Sequence, residues 1–260
     1  MIVSHGPLAI DPTLLILGGT TEATALCQRL AETGTRATLS LAGRVARPKR
    51  QPLPMRVGGF GGVCGLQAYL RDNGITHVVD ATHPFASQMS HNATAACRKL
   101  GIPHIGLVRP AWAPEPGDRW QTVRDIAEAV AALDRPASRV LLAVGRMHLL
   151  AFAPNPQHHY LLRLVDPPKD ALPFPKAQVL VDRGPFRVDS DLALMRDHGI
   201  DLVVSKNSGG SGAKAKIIAA RQLGLPVIMI ERPPMPEREE ASSVEAVLSW
   251  LAGHGADLGV

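Results

Sequence analysis

The sequence predicts an α/β protein made of two parallel-sheet units. Three observations carry this reading. Short apolar runs alternate with stretches of helical period along most of the chain, the order that builds a parallel sheet with helices on both faces. The first runs end in glycine turns that lead into helices, as strands of such sheets do. The chain has 260 residues, and at about 150 residues per domain that is one large or two small units. The pattern restarts after Arg135-Pro136-Ala137-Ser138, which reads as a linker. The units are therefore expected at 1–137 and 138–260, each Rossmann-like, with a cleft between them.

Residues 13–17 read as a strand entering Gly18-Gly19. A helix at 22–32 follows, with Ala25, Leu26, Arg29 and Leu30 at helical spacing and Gly34 as its stop. Strands are expected at 35–41 and 53–57, the second entering the cluster Gly58, Gly59, Gly61, Gly62 and Gly65. A helix at 66–72, a strand at 76–80, a helix at 86–100 closed by Gly101 and a strand at 104–108 continue the series. Residues 110–118 are proline-rich and aperiodic, and 122–133 read as a helix. The second unit offers strands at 140–144, 160–165, 178–181, 202–205 and 227–230. Its helices are expected at 192–198, 213–223 and 244–251. Residues 1–12 read as a short lead-in without the basic and long apolar regions of a signal peptide.

Composition narrows the function classes. With 45% hydrophobic and 20% charged residues the chain is an ordinary globular protein rather than a disordered one. No apolar run approaches 18 residues, so no membrane span is expected. Cys27, Cys64 and Cys97 are odd in number, lack metal-ligand spacing and fall in apparent helices, which reads as reduced, buried thiols of a cytoplasmic protein. No metal site is expected. The net charge is +5, from 21 Arg and 7 Lys against 23 acids. Arg presents a planar fork that suits phosphates and carboxylates, so an anionic small molecule is as good a partner as a nucleic acid. Genomic base composition would also explain the Arg excess. Aromatics total 4%, too few for tandem base stacking. Much of the positive excess lies in Arg44, Arg47, Lys49, Arg50 and Arg56.

Five constellations could carry chemistry. Gly18-Gly19-Thr20-Thr21 joins a strand to a helix N-terminus, where open α/β sheets bind phosphates; an ordinary turn with a Thr cap is the alternative. About 20 residues on, where a dinucleotide site would place an acid for the ribose, the chain has Ser40 and Arg44. A hydroxyl and a cation suit a 2′-phosphate, so NADPH is expected over NADH if a dinucleotide binds. Gly58-Gly59-Phe60-Gly61 suggests close backbone approach to a flat ligand or a mobile loop. Thr82-His83-Pro84-Phe85 ends another strand, with His83 able to exchange a proton and Phe85 able to stack. In the second unit Arg146, Arg163, Arg183 and Lys206-Asn207-Ser208-Gly209 follow or close strands and suit a polycarboxylate.

The residues resemble the precorrin-6A reductase family of cobalamin biosynthesis. The carriers are ILGGTTEA at 16–23, SLAGR at 40–44, GGFGG at 58–62, GLQAYL at 65–70, DATHPFA at 80–86, NATAAC at 92–97, GR at 145–146, GPF at 184–186 and IDLVVSKNSGG at 200–210. Family members often have Gly at the place of Ala23 and Thr near Ala213. The resemblance implies a cytoplasmic enzyme that uses NADPH to reduce a double bond of a polycarboxylate tetrapyrrole, precorrin-6A, to precorrin-6B. It implies Gly18, Gly19, Thr20 and Thr21 on the pyrophosphate, and Ser40 and Arg44 on the 2′-phosphate. Gly58, Gly59, Phe60, Gly61, Thr82, His83, Pro84 and Phe85 would lie near ribose and nicotinamide. Arg146, Arg163, Lys206, Asn207, Ser208 and Gly209 would face the substrate, with His83 or Lys206 as proton donor. A non-catalytic NADPH sensor and a basic nucleic-acid binder are the competing classes. Neither a nucleic acid nor a membrane is an expected partner, and a monomer is compatible with the sequence.

Overall fold

The computed structural model describes residues 12–45 and 47–256, so residues 1–11 of the expected lead-in lie outside the described residues. The chain forms two compact units and crosses between them twice, at Arg109/Pro110 and at Pro233/Pro234.

The first unit holds β1 (Thr13–Leu17), α1 (Thr21–Glu32), β2 (Arg36–Leu41), β3 (Met55–Val57), α2 (Gly62–Asp72), β4 (His77–Asp80), α3 (Ser87–Leu100) and β5 (His104–Leu107). After the excursion into the second unit the chain returns to add β12 (Glu239–Ala241) and α7 (Val244–Gly253), numbered by chain order. The strands are parallel and lie in the order β12-β5-β4-β1-β2-β3. β1 shows why its sequence reads as an unbroken apolar run. Leu14 and Ile16 pack with Leu26, Leu30, Val247 and Leu251 on one face. Leu15 and Leu17 pack with Leu66, Leu70, Ala93 and Ala96 on the other. A strand covered by helices on both faces has no solvent side and needs no polar alternation.

The second unit holds β6 (Arg119–Val123), α4 (Ile126–Ala132), β7 (Arg139–Ala143), a 3-10 segment (Arg146–Phe152), β8 (His159–Leu164), β9 (Ala177–Val181), α5 (Val188–Asp197), β10 (Leu202–Lys206), α6 (Ala215–Gln222) and β11 (Pro226–Ile230). Its order, β6-β11-β10-β7-β8-β9, is also all parallel. The fold is thus α/β with two six-stranded parallel sheets.

The expected boundary at 137 is corrected by the strand pairing. β6 pairs with β11 of the second sheet, and β12 pairs with β5 of the first. Each sheet takes its sixth strand from the far end of its chain segment. Both strands are edges with little apolar signal, since only Val123 of β6 and Ala241 of β12 are buried. The expected helix at 122–133 starts only at Ile126, after the side chain of Asp125 caps the Glu128 N–H. Residues 135–138 lie within the second unit, where Ser138 N–H donates to His158 Nδ1 at 3.1 Å. Cys27 and Cys97 are buried, which pushes their thiols up to about 11 and about 12, whereas Cys64 is exposed. No helix among the described residues is long and apolar enough to cross a membrane.

Candidate functional site

In the first sheet the chain winds outward from β1 through β2 and β3, then restarts at β4 on the other side. The switch point lies at the carboxyl ends of β1 and β4, the place where such sheets bind ligands. The turn after β1 is tightly specified. A Cβ on Gly18 would overlap Leu39 Cδ1 and sit 3.4 Å from Ala23 Cβ, so this glycine lets α1 approach β2. Gly19 has φ +124° with no atom within 4 Å of a Cβ position, an open flank that only glycine occupies without strain. Thr20 caps α1 by accepting from Ala23 N–H at 3.1 Å and donates its hydroxyl to Ala81 O at 2.8 Å. The Thr20 side chain is therefore the cap that the alternative reading offered, and it ties β1's turn to β4's. Thr21 is exposed and donates to Glu22 at 3.0 Å. Glu22 pairs with Arg109 at 2.6 Å. Burial raises the Glu22 carboxyl, but its own backbone N–H and Arg109 outweigh that and hold it below the usual range.

Ser40 and Arg44 part company. Ser40 is buried, and its hydroxyl accepts from Arg56 Nη1 at 2.7 Å. Arg44 is exposed on the following loop. Arg56, on β3, organises this corner. It donates to Gly58 O at 3.0 Å and Gly59 O at 3.1 Å, and its guanidinium lies 3.8 Å from the Phe60 ring centroid. In the sequence Arg56 stands out only as part of a basic run. Gly58, Gly59, Gly61 and Gly62 all show open space where a Cβ would point, and three of them have positive φ.

The turn after β4 is held from beneath. Asp80 Oδ1 accepts from Thr82 N–H at 3.1 Å and Thr82 Oγ1 at 2.7 Å. His83 Nδ1 accepts from Phe85 N–H at 3.2 Å, which makes Nδ1 an acceptor and puts the ring proton on Nε2. The two rings stand 5.8 Å apart. Pro84 is buried.

In the second unit the expected substrate residues split. Arg146 is exposed at the start of the 3-10 segment. Arg163 is buried against Asp191 at 2.7 Å and stacks 4.3 Å from the Phe186 ring centroid. The expectation that it faces a ligand carboxylate gives way to a role inside this unit. Asn207 is likewise engaged: its side chain accepts from Trp112 N–H at 2.8 Å and donates to Trp112 O at 2.9 Å. Arg232 holds the carbonyls of Asn207 and Ser208 at 3.0 and 3.2 Å. Gly209 and Gly210 both have φ +67°, and a Cβ on Gly209 would overlap Pro110 O and Arg232. Lys206 ends β10, and Ser208 is buried. Beside Arg146, the carboxyl ends of the adjacent strands β7, β8 and β9 leave Met147, Leu150, Val165 and Val181 exposed. This apolar edge is not legible in the sequence, because Leu150, Val165 and Val181 continue apolar runs whose other members include the buried Leu149 and Leu164.

The strand orders define a doubly wound α/β protein with two parallel sheets. Comparison with known proteins identifies its kind. The precorrin-6x reductase CbiJ/CobK profile matches residues 13–252. A precorrin-6A reductase of Rhodobacter capsulatus is 55% identical over 243 residues, covering 94% of this chain and 97% of that protein. One from a Sinorhizobium species is 47% identical over 246 residues, covering 93% and 94%. A solved structure of CobK precorrin-6A reductase matches with a TM-score of 0.93 at 54% identity, covering 96% of this chain and 100% of that one. The chain belongs to the precorrin-6x reductase family. It is an oxidoreductase of cobalamin biosynthesis that reduces precorrin-6A.

Proposed function

We propose that the reductant is NADPH, held by the first unit, and that the strand ends of the second unit hold the tetrapyrrole. The observation that carries this is the glycine turn at the β1/β4 switch point, followed directly by the capped N-terminus of α1. Open space flanks Gly19, Gly58, Gly59, Gly61 and Gly62, as close approach of a nucleotide requires. NADPH supplies the hydride. The backbone of Gly18–Thr21 and the α1 N-terminus hold its pyrophosphate, while Thr20's hydroxyl keeps the turn in shape. Ser40, Arg44 and Arg56 meet the 2′-phosphate: Ser40 accepts from Arg56 and can donate its own proton onward. Gly58–Gly61 and Thr82–Phe85 line ribose and nicotinamide.

Precorrin-6A is a flat macrocycle ringed by carboxylates. Met147, Leu150, Val165 and Val181 offer apolar surface for its face, and Arg146 a cation for its rim. Lys206, Ser208 and Gly209 extend that binding edge. His83, with its proton on Nε2, and Lys206 are the candidate donors of the proton that accompanies hydride. A cytoplasmic location suits an NADPH-consuming biosynthetic step, and one chain supplies all of these residues.

The test is cofactor selectivity. Arg44→Ala removes a charge-assisted contact, so the KM for NADPH should rise by about tenfold or more. The KM for NADH should hardly move. Equal effects on both cofactors would remove Arg44 from the 2′-phosphate site.

A further inference from the structure

The most completely buried ion pair at the strand ends of the first unit joins the β4 turn to the returning C-terminal segment. The side chains of Asp80 and Arg238 are 0% and 4% exposed, and Arg238 Nη1 donates to Asp80 Oδ2. Arg238 precedes β12 and lies against β5 at Gly106. A Cβ on Gly106 would come within 2.6 Å of its Nε and 2.8 Å of its Cζ, so glycine there makes room for the guanidinium. Arg238 Nε also approaches Glu240 at 3.3 Å.

One carboxylate thus serves four donors. Oδ1 holds Thr82 N–H and Oγ1, at the start of the Thr82–Phe85 turn. Oδ2 takes Arg238 and, at 2.5 Å, the hydroxyl of Ser90 on the first turn of α3, which follows that turn. Burial works against the Asp80 charge, and Arg238, Ser90 and Thr82 together hold the carboxyl below its usual range. His104 next to it is pushed down to about 4 by burial and Arg238 against the pull of Asp80, so it stays neutral. A buried ion pair is seldom more stabilising than an apolar pair of similar volume. An apolar pair, however, could not accept the two bonds from Thr82.

We infer that Arg238 is a positioning residue for hydride transfer, acting through Asp80 to set the Thr82–Phe85 turn, so that the C-terminal segment completes the nicotinamide side of the site. The inference rests on the cofactor reading above. It makes the return of the chain at Pro234 part of the enzyme's working apparatus as well as of its sheet.

The experiment compares Arg238→Gln and Ser90→Ala with the unaltered protein. It reads the single-turnover rate of NADPH oxidation with precorrin-6A, and the affinity for 2′,5′-ADP, which lacks the nicotinamide. In Arg238→Gln the rate should fall about 100-fold, the scale of a small misplacement of reacting groups. The affinity for 2′,5′-ADP should stay unchanged, and added methylguanidinium should restore part of the rate. Ser90→Ala keeps the ion pair and should show a smaller loss in the same direction, which serves if Arg238→Gln does not fold. An unchanged rate in folded variants overturns the inference. So does a fall in 2′,5′-ADP affinity that parallels the rate, which would mark a purely structural role. A wild-type protein that neither binds 2′,5′-ADP nor oxidises NADPH would overturn the cofactor reading and this inference with it.

Discussion

Gly65→Ala should lower both the melting temperature and the affinity for NADPH. Gly65 lies in the first turn of α2, and a Cβ there would overlap the carbonyl oxygen of Phe60 and sit 2.8 Å from its carbonyl carbon. The obstacle is backbone, which cannot rotate aside as a side chain would. Forcing a methyl into such a contact costs about 1–3 kcal/mol. Alanine's better helix propensity returns no more than about 1 kcal/mol. The damage spreads because Phe60 stacks on Arg56, and Arg56 holds Gly58, Gly59 and Ser40. Gly59→Ala is the matched control. Nothing lies within 4 Å of a Cβ at Gly59, and its φ is not among the positive ones. Its melting temperature should match wild type while NADPH binds more weakly, because the methyl enters the open space of the proposed nucleotide site. A Gly65→Ala protein with wild-type melting and binding would show that the Phe60 backbone yields freely.

Arg163→Ala should destabilise the second unit by about 3–5 kcal/mol, the cost of leaving one buried charge without its partner. Asp191, whose side chain is 4% exposed beside Arg163, would lose its counter-charge. Its Oδ2 already has no hydrogen-bond partner, and the 2.7 Å ion pair through Oδ1 is made off the N–H axis. The Phe186 ring would also lose the guanidinium stacked on it. Replacing both charges, Arg163→Met with Asp191→Leu, should recover most of the lost stability, and the KM for precorrin-6A should stay near wild type. Urea melts of the two variants check this. A single variant that melts like wild type and loses only substrate affinity would return Arg163 to the substrate site.

What could be read from the sequence follows from where each signal resides. Central strands such as β1 and β11 are covered on both faces, so they stand out as unbroken apolar runs. Helix stops at Gly34 and Gly101 were legible because their positive φ demands glycine. β6 and β12 were not legible, since an exposed edge strand has little apolar signal and its pairing partner lies in a distant segment. The double crossing of the chain follows from those two strands, and so does the error in the domain boundary. The turns at the strand ends were legible because glycines and hydroxyls carry local meaning there. The fate of cations was not, because it depends on distant partners. Arg163 meets Asp191 and Arg238 meets Asp80 across long stretches of chain, and no spacing rule connects them. Asn207 looked like a ligand group for the same reason, its partner Trp112 being 95 residues away.

The measurement that bears most directly on the account follows the NADPH absorbance band on mixing folded protein with precorrin-6A. NADPH should be lost in equal amount to precorrin-6A consumed, with NADH a much poorer reductant. No loss of the NADPH band, or NADH serving equally well, would contradict it.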